Sequence, residues 1–429
     1  MLFKNIGLID ENFEYRNNMY VGTNCHRIVY IDSKPPEDED AFFETYDGRG
    51  KVLMPAFYNA HGHSPMSLMR GYGENLPLDR WLNERIFPFE DKLYSEAVYW
   101  STLATMAESM RFGIVSTSDM YYFIDDMVKA VVHSGLKTNI SRAITNSGAP
   151  VAESVSLKEA AQAIEMYYGF EDGRILVDAS IHGEYTNDFE MMKAISDMAK
   201  HYDVRMHVHL SETKSEHENC KAKYGKTPAE VFLDAGAFDV PATAAHCVWV
   251  EDGDLDIFRD KGVTVASNPC SNMKLASGMC NVPPMYEKGI NVAIGTDSVA
   301  SNNSLNFFEE IKLFALTGKV ISMDPASMTP QQVLRSATRA GALSQGRTDC
   351  GLVREGYKAD LIVVDISGPN WTDCDDIANG LIYSADGKDV CLTMCDGMTL
   401  YRDGEYTFID IEKTIAEAEK AKAEILKRL

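Results

Sequence analysis

Two histidines stand two residues apart in the segment NAHGHSPM, where His61 and His63 follow the apolar run KVLMPAFY. Residues i and i+2 of a β-strand project to the same side, so both imidazoles would point the same way from one strand end. A lone buried histidine is often a hydrogen-bonded core residue, and an HxH pair by itself is ambiguous. Neutral imidazole is also a common ligand of divalent metals, so this pair is a candidate metal site.

Histidines also end three later apolar runs, RILVDASIH, DVRMHVHL and ATAAHCV, and an aspartate closes a fourth, INVAIGTDS. In a parallel α/β barrel the carboxyl ends of the strands meet at one rim, where active sites lie. His26, His133, His201 and His217 fall outside strand ends and are interpreted as structural. The other six histidines and one aspartate are predicted to converge on one site: His61, His63, His182, His207, His209, His246 and Asp297.

This set of side chains suits metal-assisted hydrolysis. Three imidazoles and a carboxylate can bind Zn²⁺, and also Fe²⁺. Such an ion lowers the pKa of a bound water toward about 7, and Asp297 could accept the proton released. Glu212 stands three residues after His209 and could shuttle a proton, while His246 could orient the water or polarise the substrate. We therefore expect one divalent metal, Zn²⁺ before Fe²⁺.

The elements that must position these residues follow from the hydrophobic pattern. Eight short apolar runs alternate with helical patterns through the middle of the chain, which predicts a (β/α)8 TIM-type barrel. Both chain ends contain short strands and turns, and we expect them to form one small β-sandwich domain. The predicted divisions are 1–52 and 351–410 for the small β domain, 53–350 for the barrel and 411–429 for a charged C-terminal helix.

Composition limits the partners. The chain has 429 residues, 45% of them hydrophobic, and no run of 18 or more apolar residues, so we expect no membrane span. A net charge of −23 would repel a phosphate backbone, which argues against nucleic acid. The N-terminus lacks the pattern of a signal peptide, and the nine cysteines contain no CxxC, so a cytoplasmic protein without a disulfide framework is expected. Cys391 and Cys395 are a weak metal pair because no second pair is nearby.

Several longer segments resemble the amidohydrolase superfamily, and within it the methylthioadenosine/S-adenosylhomocysteine deaminase group, which is close to cytosine and guanine deaminases and triazine hydrolases. The matching segments are MPAFYNAHGHSPMSLMRGYGENLPLDRWLNERIFPFE, HVHLSET, AAHCV, SNPCSNMKLASG and GTDSVASNNSLNFFEE. The resemblance implies a single metal, because the fourth strand lacks the lysine that bridges two metals in other members. It implies the metal ligands His61, His63, His209 and Asp297.

The resemblance also implies roles around the metal. Glu212 would be the proton shuttle, and His246 would contact the water and the substrate. Glu90, in the segment PFE, would bind the ribose hydroxyls. His182 would contact the purine ring, and Trp81 would cover the site. His207 is interpreted as a residue that orients a ligand or the substrate.

The expected contacts to the substrate's 5′ tail are Arg142 and Ser301, with Arg142 acting across a subunit interface in a homo-oligomer. The loop TNSGAPVAESVSLKEA has no second arginine for an amino-acid carboxylate and contains Glu153. An unpaired buried carboxylate is costly, so this loop favours neutral tails over that of S-adenosylhomocysteine.

We therefore expect zinc-dependent hydrolytic deamination of adenosine-type nucleosides, namely 5′-methylthioadenosine, 5′-deoxyadenosine, adenosine and, less favoured, S-adenosylhomocysteine, to the inosine analogue and ammonia. One alternative is a free-base deaminase acting on guanine, cytosine or a pterin, or a triazine hydrolase. Glu90 discriminates, because a free base has no ribose diol. The other is a metal-free structural or regulatory protein on the same scaffold, which the complete set of ligands disfavours.

Overall fold

Five strands open the chain and lie in one sheet. The computed structural model describes residues 1–146 and 148–429. Buried side chains from β1, including Phe3, Ile6 and Leu8, pack into a separate small core. These strands are β1 (Leu2–Ile9), β2 (Tyr15–Asn24), β3 (Arg27–Asp32), β4 (Thr45–Asp47) and β5 (Lys51–Pro55).

Parallel strands occupy the middle of the chain, as the alternating pattern predicts. The sheets run β6-β7-β8-β9 and β10-β11-β12-β13-β14, and all of their pairings are parallel. A parallel bridge also joins Gly62 to Asp297. The strands are β6 (Phe57–Gly62), β7 (Ile114–Tyr121), β8 (Lys137–Arg142), β9 (Ile175–Val177), β10 (Ala179–Ile181), β11 (Met206–Leu210), β12 (Ala242–His246), β13 (Thr264–Ser267) and β14 (Val292–Ile294).

Two of the expected strands differ from the sequence pattern. The fourth run is interrupted at Asp178, so it contributes both β9 and β10. The first run, LMPAFYNAH, was expected to be one barrel strand, but it ends one strand at Pro55 and begins another at Phe57. Proline lacks the N–H that a central strand needs, which is consistent with an end at this position.

Strands from the C-terminal part complete the first sheet, whose order is β18-β17-β16-β15-β5-β1-β2-β3, with β4 paired to β1. Strand β5 lies between β1, to which it is parallel, and β15, to which it is antiparallel. Strands from both chain ends thus lie in one hydrogen-bonded sheet, while the division into a small β domain and its sandwich form stay predictions. The added strands are β15 (Leu361–Asp365), β16 (Val390–Cys395), β17 (Met398–Arg402) and β18 (Glu405–Tyr406).

Helices fill the connections between the strands, and the charged tail forms the expected C-terminal helix. Within residues 1–146 and 148–429, no helix is long and apolar enough to cross a membrane. The helices are α1 (Leu78–Trp81), α2 (Phe87–Glu90), α3 (Ser95–Arg111), α4 (Ile124–Ser134), α5 (Val155–Tyr167), α6 (Phe170–Gly173), α7 (Phe189–Tyr202), α8 (Lys214–Tyr224), α9 (Pro228–Asp234), α10 (Asp252–Lys261), α11 (Pro269–Lys274), α12 (Pro283–Glu287), α13 (Phe307–Ser322), α14 (Pro330–Ala337), α15 (Arg339–Ser344), α16 (Ile377–Tyr383) and α17 (Ile411–Leu426).

Candidate metal centre and active site

The histidines of the two HxH motifs meet at one edge of the parallel sheets. His61 lies in β6 and His63 directly follows that strand, while His209 lies in β11. Asp297 follows β14, and its backbone N–H donates to the carbonyl of His61 at 3.0 Å. His246, at the end of β12, joins the same group.

Hydrogen bonds define the tautomers of His63 and His209. The Nδ1 atom of His63 lies 2.6 Å from the carbonyl oxygen of Met120, and Nδ1 of His209 lies 2.6 Å from that of His182. A carbonyl oxygen can only accept, so each Nδ1 carries the proton and each Nε2 has a free lone pair. The two Nε2 atoms lie 3.4 Å apart. Two lone pairs facing each other in this way fit a shared cation.

His61 is fully buried, and its Nε2 has no hydrogen-bond partner among the described residues. That atom lies 3.6 Å from Oδ1 of Asp297, and the same oxygen lies 3.2 Å from Nε2 of His63. On its other side, Nδ1 of His61 lies 2.9 Å from Nε2 of His207. Burial lowers the pKa of His207 to about 3, so its ring is neutral and its Nε2 can accept a hydrogen bond from the Nδ1–H of His61. The orphaned Nε2 of His61 is thus presented to the same point as the other ligand atoms, and this donor set fits a divalent metal.

Serine hydroxyls hold the Asp297 carboxylate. Its Oδ2 accepts from Oγ of Ser271 at 2.6 Å and from Oγ of Ser301 at 3.0 Å, and its Oδ1 accepts from the N–H of Ser298 at 2.7 Å. Ser301, expected to contact the substrate tail, therefore lies against a candidate metal ligand as well as lining the adjacent cleft.

Glu212 and His246 stand next to the candidate ligands. Oε2 of Glu212 lies 3.8 Å from Nε2 of His246, and its Oε1 accepts from Oγ of Ser277 at 3.3 Å. Burial raises the pKa of Glu212. Nδ1 of His246 lies 2.8 Å from Oδ1 of Asn272, which leaves Nε2 facing the site. A buried carboxyl with a raised pKa beside polar groups is suited to accepting and returning a proton.

A cleft opens above this group. Its wall includes a helical segment in which α1 is joined to α2 by a π-helical turn over Leu82–Ile86. Trp81 directly precedes that turn, Glu90 is the last residue of α2, and both line the cleft. Their roles as a cover and a substrate contact stay predictions. The Tyr121 hydroxyl donates to Oε1 of Glu90 at 2.6 Å. Burial raises the pKa of Glu90 to about 7, although the bond from Tyr121 opposes that shift.

The other two expected substrate contacts have different surroundings. His182 follows β10 and lines the cleft, and burial lowers its pKa to about 4, so its ring is neutral. Arg142 is not among the described residues that line the cleft. Its guanidinium lies 4.8 Å over the Tyr122 ring, and its Nε donates to Glu159 at 2.8 Å.

Sequence reasoning missed several residues that hold the site. Tyr121 ends β7 next to the HxH strand, but its position alone does not indicate the contact that it makes with Glu90. Ser271 and Asn272 lie in SNPCSNMKLASG. This segment resembles the family as a whole, but the resemblance assigns no role to its individual residues. Left-handed backbone at His246 (φ 74°) and Asp297 (φ 58°) was not foreseeable, and such costly conformations are concentrated at functional sites.

Comparison with known proteins places these features in a family. Residues 52–400 match the model of the amidohydrolase family. The 5-methylthioadenosine/S-adenosylhomocysteine deaminase of Dictyoglomus thermophilum is 41% identical over 382 residues, covering 89% of this chain and 89% of that protein. The 5′-deoxyadenosine deaminase of Methanosarcina mazei is 39% identical over 403 residues, covering 94% of this chain and 92% of that protein.

A solved structure is similar over nearly the whole length. An adenosine deaminase from Xanthomonas campestris with bound zinc superposes with a TM-score of 0.92 at 27% identity. The match covers 99% of this chain and 98% of that one.

Proposed function

This chain belongs to the amidohydrolase family, and on that basis we propose that it hydrolytically deaminates adenosine-type nucleosides to the inosine analogue and ammonia. The observation that carries the proposal is that two chemically different sites line one cleft. Candidate metal ligands and Glu212 form its floor, and the Glu90 carboxyl lies in its wall. The metal ligands together with Glu212 could support hydrolysis of a C–N bond, and the Glu90 carboxylate could accept hydrogen bonds from a ribose diol.

We also infer that the two parallel sheets form one closed eight-stranded barrel. The bridge between Gly62 and Asp297 supports closure on one side, and the shared fourth run, divided at Asp178, supports continuity on the other. Closure would place every strand end named above on a single rim.

His61, His63, His209 and Asp297 would hold one divalent metal, for which we propose Zn²⁺ because nitrogen and carboxylate ligands suit it. The Xanthomonas campestris relative carries zinc. When bound, such an ion supplies Lewis acidity and makes a water molecule acidic enough to ionise near neutral pH.

Glu212 would move the protons. Water adds to the ring carbon that bears the amino group, so a C–O bond forms and a C–N bond breaks. Of the two water protons, one ends on the ring nitrogen and the other on the departing ammonia, and Glu212 would transfer them in turn. His246, held by Asn272, would orient the attacking oxygen or polarise the ring.

Neutral 5′ substituents are proposed as the preferred tails. The Arg142 guanidinium already donates to Glu159 and to the Ala143 carbonyl, so a substrate carboxylate would have to compete for it. Glu153 lies in the neighbouring loop, and the described loop residues provide no second arginine. We therefore expect a higher kcat/KM for 5′-methylthioadenosine than for S-adenosylhomocysteine.

Ammonia release from a panel of substrates tests the proposal. The panel comprises adenosine, 5′-deoxyadenosine, 5′-methylthioadenosine, S-adenosylhomocysteine, adenine, guanine, cytosine, a pterin and a triazine. Nucleosides should react and free bases should react poorly. Equal kcat/KM for adenine and adenosine would instead indicate a free-base deaminase.

His63→Ala tests the metal assignment. This variant should lose bound metal and activity together, because it removes the ligand atom that lies between those of His209 and Asp297, at 3.4 and 3.2 Å from them. His201→Ala removes an exposed histidine from α7 and should change neither quantity. Full metal occupancy in His63→Ala, measured by elemental analysis, would contradict the ligand set. Ammonia release by the purified His63→Ala variant would also show whether contaminating deaminases contribute to the rates measured with the substrate panel.

A further inference from the structure

Two buried glutamates lie behind Glu212, and neither has a role in the chemistry above. Glu184 follows β10 and Glu216 lies in the first turn of α8, with exposed fractions of 2% and 7%. Oε1 of Glu216 accepts from the N–H of Ser211 at 2.7 Å, and its Oε2 accepts from the N–H of Glu212 at 2.7 Å and of Thr213 at 3.3 Å. One carboxylate therefore binds the three consecutive amides around the proposed proton shuttle.

The hydrogen bonds indicate where the proton of this pair resides. A carboxylate offers about four acceptor positions, and three N–H groups already use three of them on Glu216. Glu184 lies within hydrogen-bonding reach of Glu216 and can fill the fourth only as an O–H donor. Oε2 of Glu184 has no hydrogen-bond partner among the described residues, which is far more costly for a buried carboxylate than for a neutral acid. Glu184 is therefore the protonated member.

The charges that face Glu184 agree with this assignment. Burial and then the charge of Glu216 raise the pKa of Glu184 to about 9. The charge of Lys223 acts in the opposite direction. Cys220, which is also close, is uncharged at neutral pH because burial and nearby carboxylates raise its pKa to about 12, and a tyrosine such as Tyr185 is neutral there at the ordinary pKa of about 10. Burial and the charge of Glu212 raise the pKa of Glu216 to about 6.

The turn that this pair holds is strained. Ser211 has a left-handed backbone (φ 49°), which an L-residue adopts only at a cost. Its hydroxyl lies 3.1 Å from Nδ1 of His217, whose Nε2 lies 3.2 Å from Glu251, so the side chain is fixed as well as the amide. The turn brings Glu212 into the cleft directly after the strand that ends in His209 and Leu210.

We propose that Glu184 and Glu216 share one proton and act together as positioning residues that fix the turn carrying Glu212. The inference rests on the proposed role of Glu212 in deamination. Glu216 would act through the three amides it binds, and Glu184 would act by keeping Glu216 ionised and in place.

Glu216→Gln tests the first half. A carboxamide has a single acceptor oxygen, and its NH₂ group would face an N–H donor, so the turn should shift. A misplacement of about 1 Å can cost about 10²-fold in rate, so kcat should fall by that order while KM and metal content stay near wild type. Glu230→Gln is the matched control, because Glu230 makes the same capping contact at the start of α9 but is exposed and lies away from the cleft. Wild-type kcat in Glu216→Gln with full metal would overturn the proposal.

Glu184→Gln tests the second half. Glutamine keeps a neutral donor toward Glu216, so kcat near pH 7.5 should stay within about twofold of wild type. Wild-type kcat should decline as pH rises through about 9, when Glu184 ionises next to Glu216, whereas Glu184→Gln should lack that decline. The same alkaline decline in both proteins would overturn the proposal.

An infrared measurement separates this proposal from the proposed function. The wild-type protein at neutral pH should show a carbonyl band of a protonated carboxylic acid that Glu184→Gln lacks, whether or not any nucleoside is a substrate. Absence of that difference band overturns the shared proton even in an active enzyme. Its presence in a protein that deaminates nothing would reject the function alone.

Discussion

At the scale of single residues, Glu212 concentrates the proton chemistry in one buried carboxyl beside His246 and Ser277. Glu212→Gln keeps the size of the side chain but cannot exchange a proton. We expect bound metal to be retained and kcat to fall by about 10²–10⁴-fold, which is the usual contribution of a general acid–base group. Glu218→Gln, at an exposed position of α8, is the control. Near-normal kcat in metal-loaded Glu212→Gln would mean that another group carries the protons.

Glu90 makes ribose recognition dependent on pH. The ionised carboxylate accepts more hydrogen bonds than the protonated acid, and burial raises the pKa of Glu90 to about 7 in the free protein. KM for adenosine should therefore rise as the pH falls through about 7. Bonds to a charged group contribute about 1.5–3 kcal/mol, so the effect should be roughly tenfold to a hundredfold.

Two comparisons check the assignment of this pH effect to Glu90. Glu90→Gln should have a KM that changes little between about pH 6 and pH 8, and it should discriminate less between adenosine and 2′-deoxyadenosine. A pH-dependent change in KM of the same size in Glu90→Gln would assign the titration to another group, such as one near the metal.

At the scale of elements, α15 packs closely on the strand that carries His61. A Cβ added at Gly341 would lie 2.2 Å from the carbonyl oxygen of Tyr58 in β6. Gly341→Ala must therefore displace backbone, and we expect about 1–3 kcal/mol of lost stability together with weaker metal retention. Gly253→Ala, in α10 with open space around it, should instead stabilise by about 0.5–1 kcal/mol. Thermal unfolding and metal analysis measure both, and equal behaviour of the two variants would contradict the close contact.

The elements show which features the sequence could predict. Eight apolar runs are visible because each is short and bounded by turns, and the candidate ligands stand out because His and Asp at strand ends are chemically distinctive. Pro55 is a signal for the division of one apolar run into β5 and β6, but the sheet that each half joins was not predictable, since both halves are apolar and only their partners differ. Tyr121 was missed for a related reason, because a tyrosine at a strand end becomes informative only when Glu90 is known to face it.

At the scale of the whole molecule, a buried ion cluster joins the sheet formed by both chain ends, here called the terminal sheet, to the parallel sheet β6-β7-β8-β9. Lys137, in β8, is 2% exposed, and its Nζ lies 2.5 Å from Asp360 and 2.9 Å from Asp396. Both aspartates adjoin strands of the terminal sheet, Asp360 before β15 and Asp396 after β16. No pattern in the sequence links these three residues, which are brought together only by the order of strands in the sheet.

Lys137→Met should therefore destabilise the whole molecule, because it leaves the buried Asp360 carboxylate without its cation, whereas Asp396 keeps Lys358 at 3.3 Å. Removing one partner of a buried ion pair costs about 3–5 kcal/mol, which denaturant unfolding would measure. Lys193→Met is the control, since Lys193 forms an exposed i,i+4 pair with Asp197 on α7, and such pairs contribute about 0.3–0.5 kcal/mol. Equal losses in the two variants would contradict a special role for the buried cluster.

The loss of stability in Lys137→Met should also depend on pH, and the pKa of Asp360 determines whether it grows or shrinks on acidification. Burial alone would raise the pKa of Asp360, but the charge of Lys137 and hydrogen bonds from the Asp396 N–H, Lys137 and Tyr58 together outweigh it and lower the pKa to about 2, below the unfolded value near 4. A lowered pKa stabilises the folded state above the unfolded pKa, and this contribution is lost as the pH falls through the folded pKa. Wild-type protein should therefore lose stability from this group between about pH 4 and pH 2. Lys137→Met lacks the contribution at every pH, so its free energy of unfolding should approach that of wild type as the solution is acidified from pH 7 toward pH 3. A difference that widens on acidification would show that Asp360 does not depend on Lys137 for its charge.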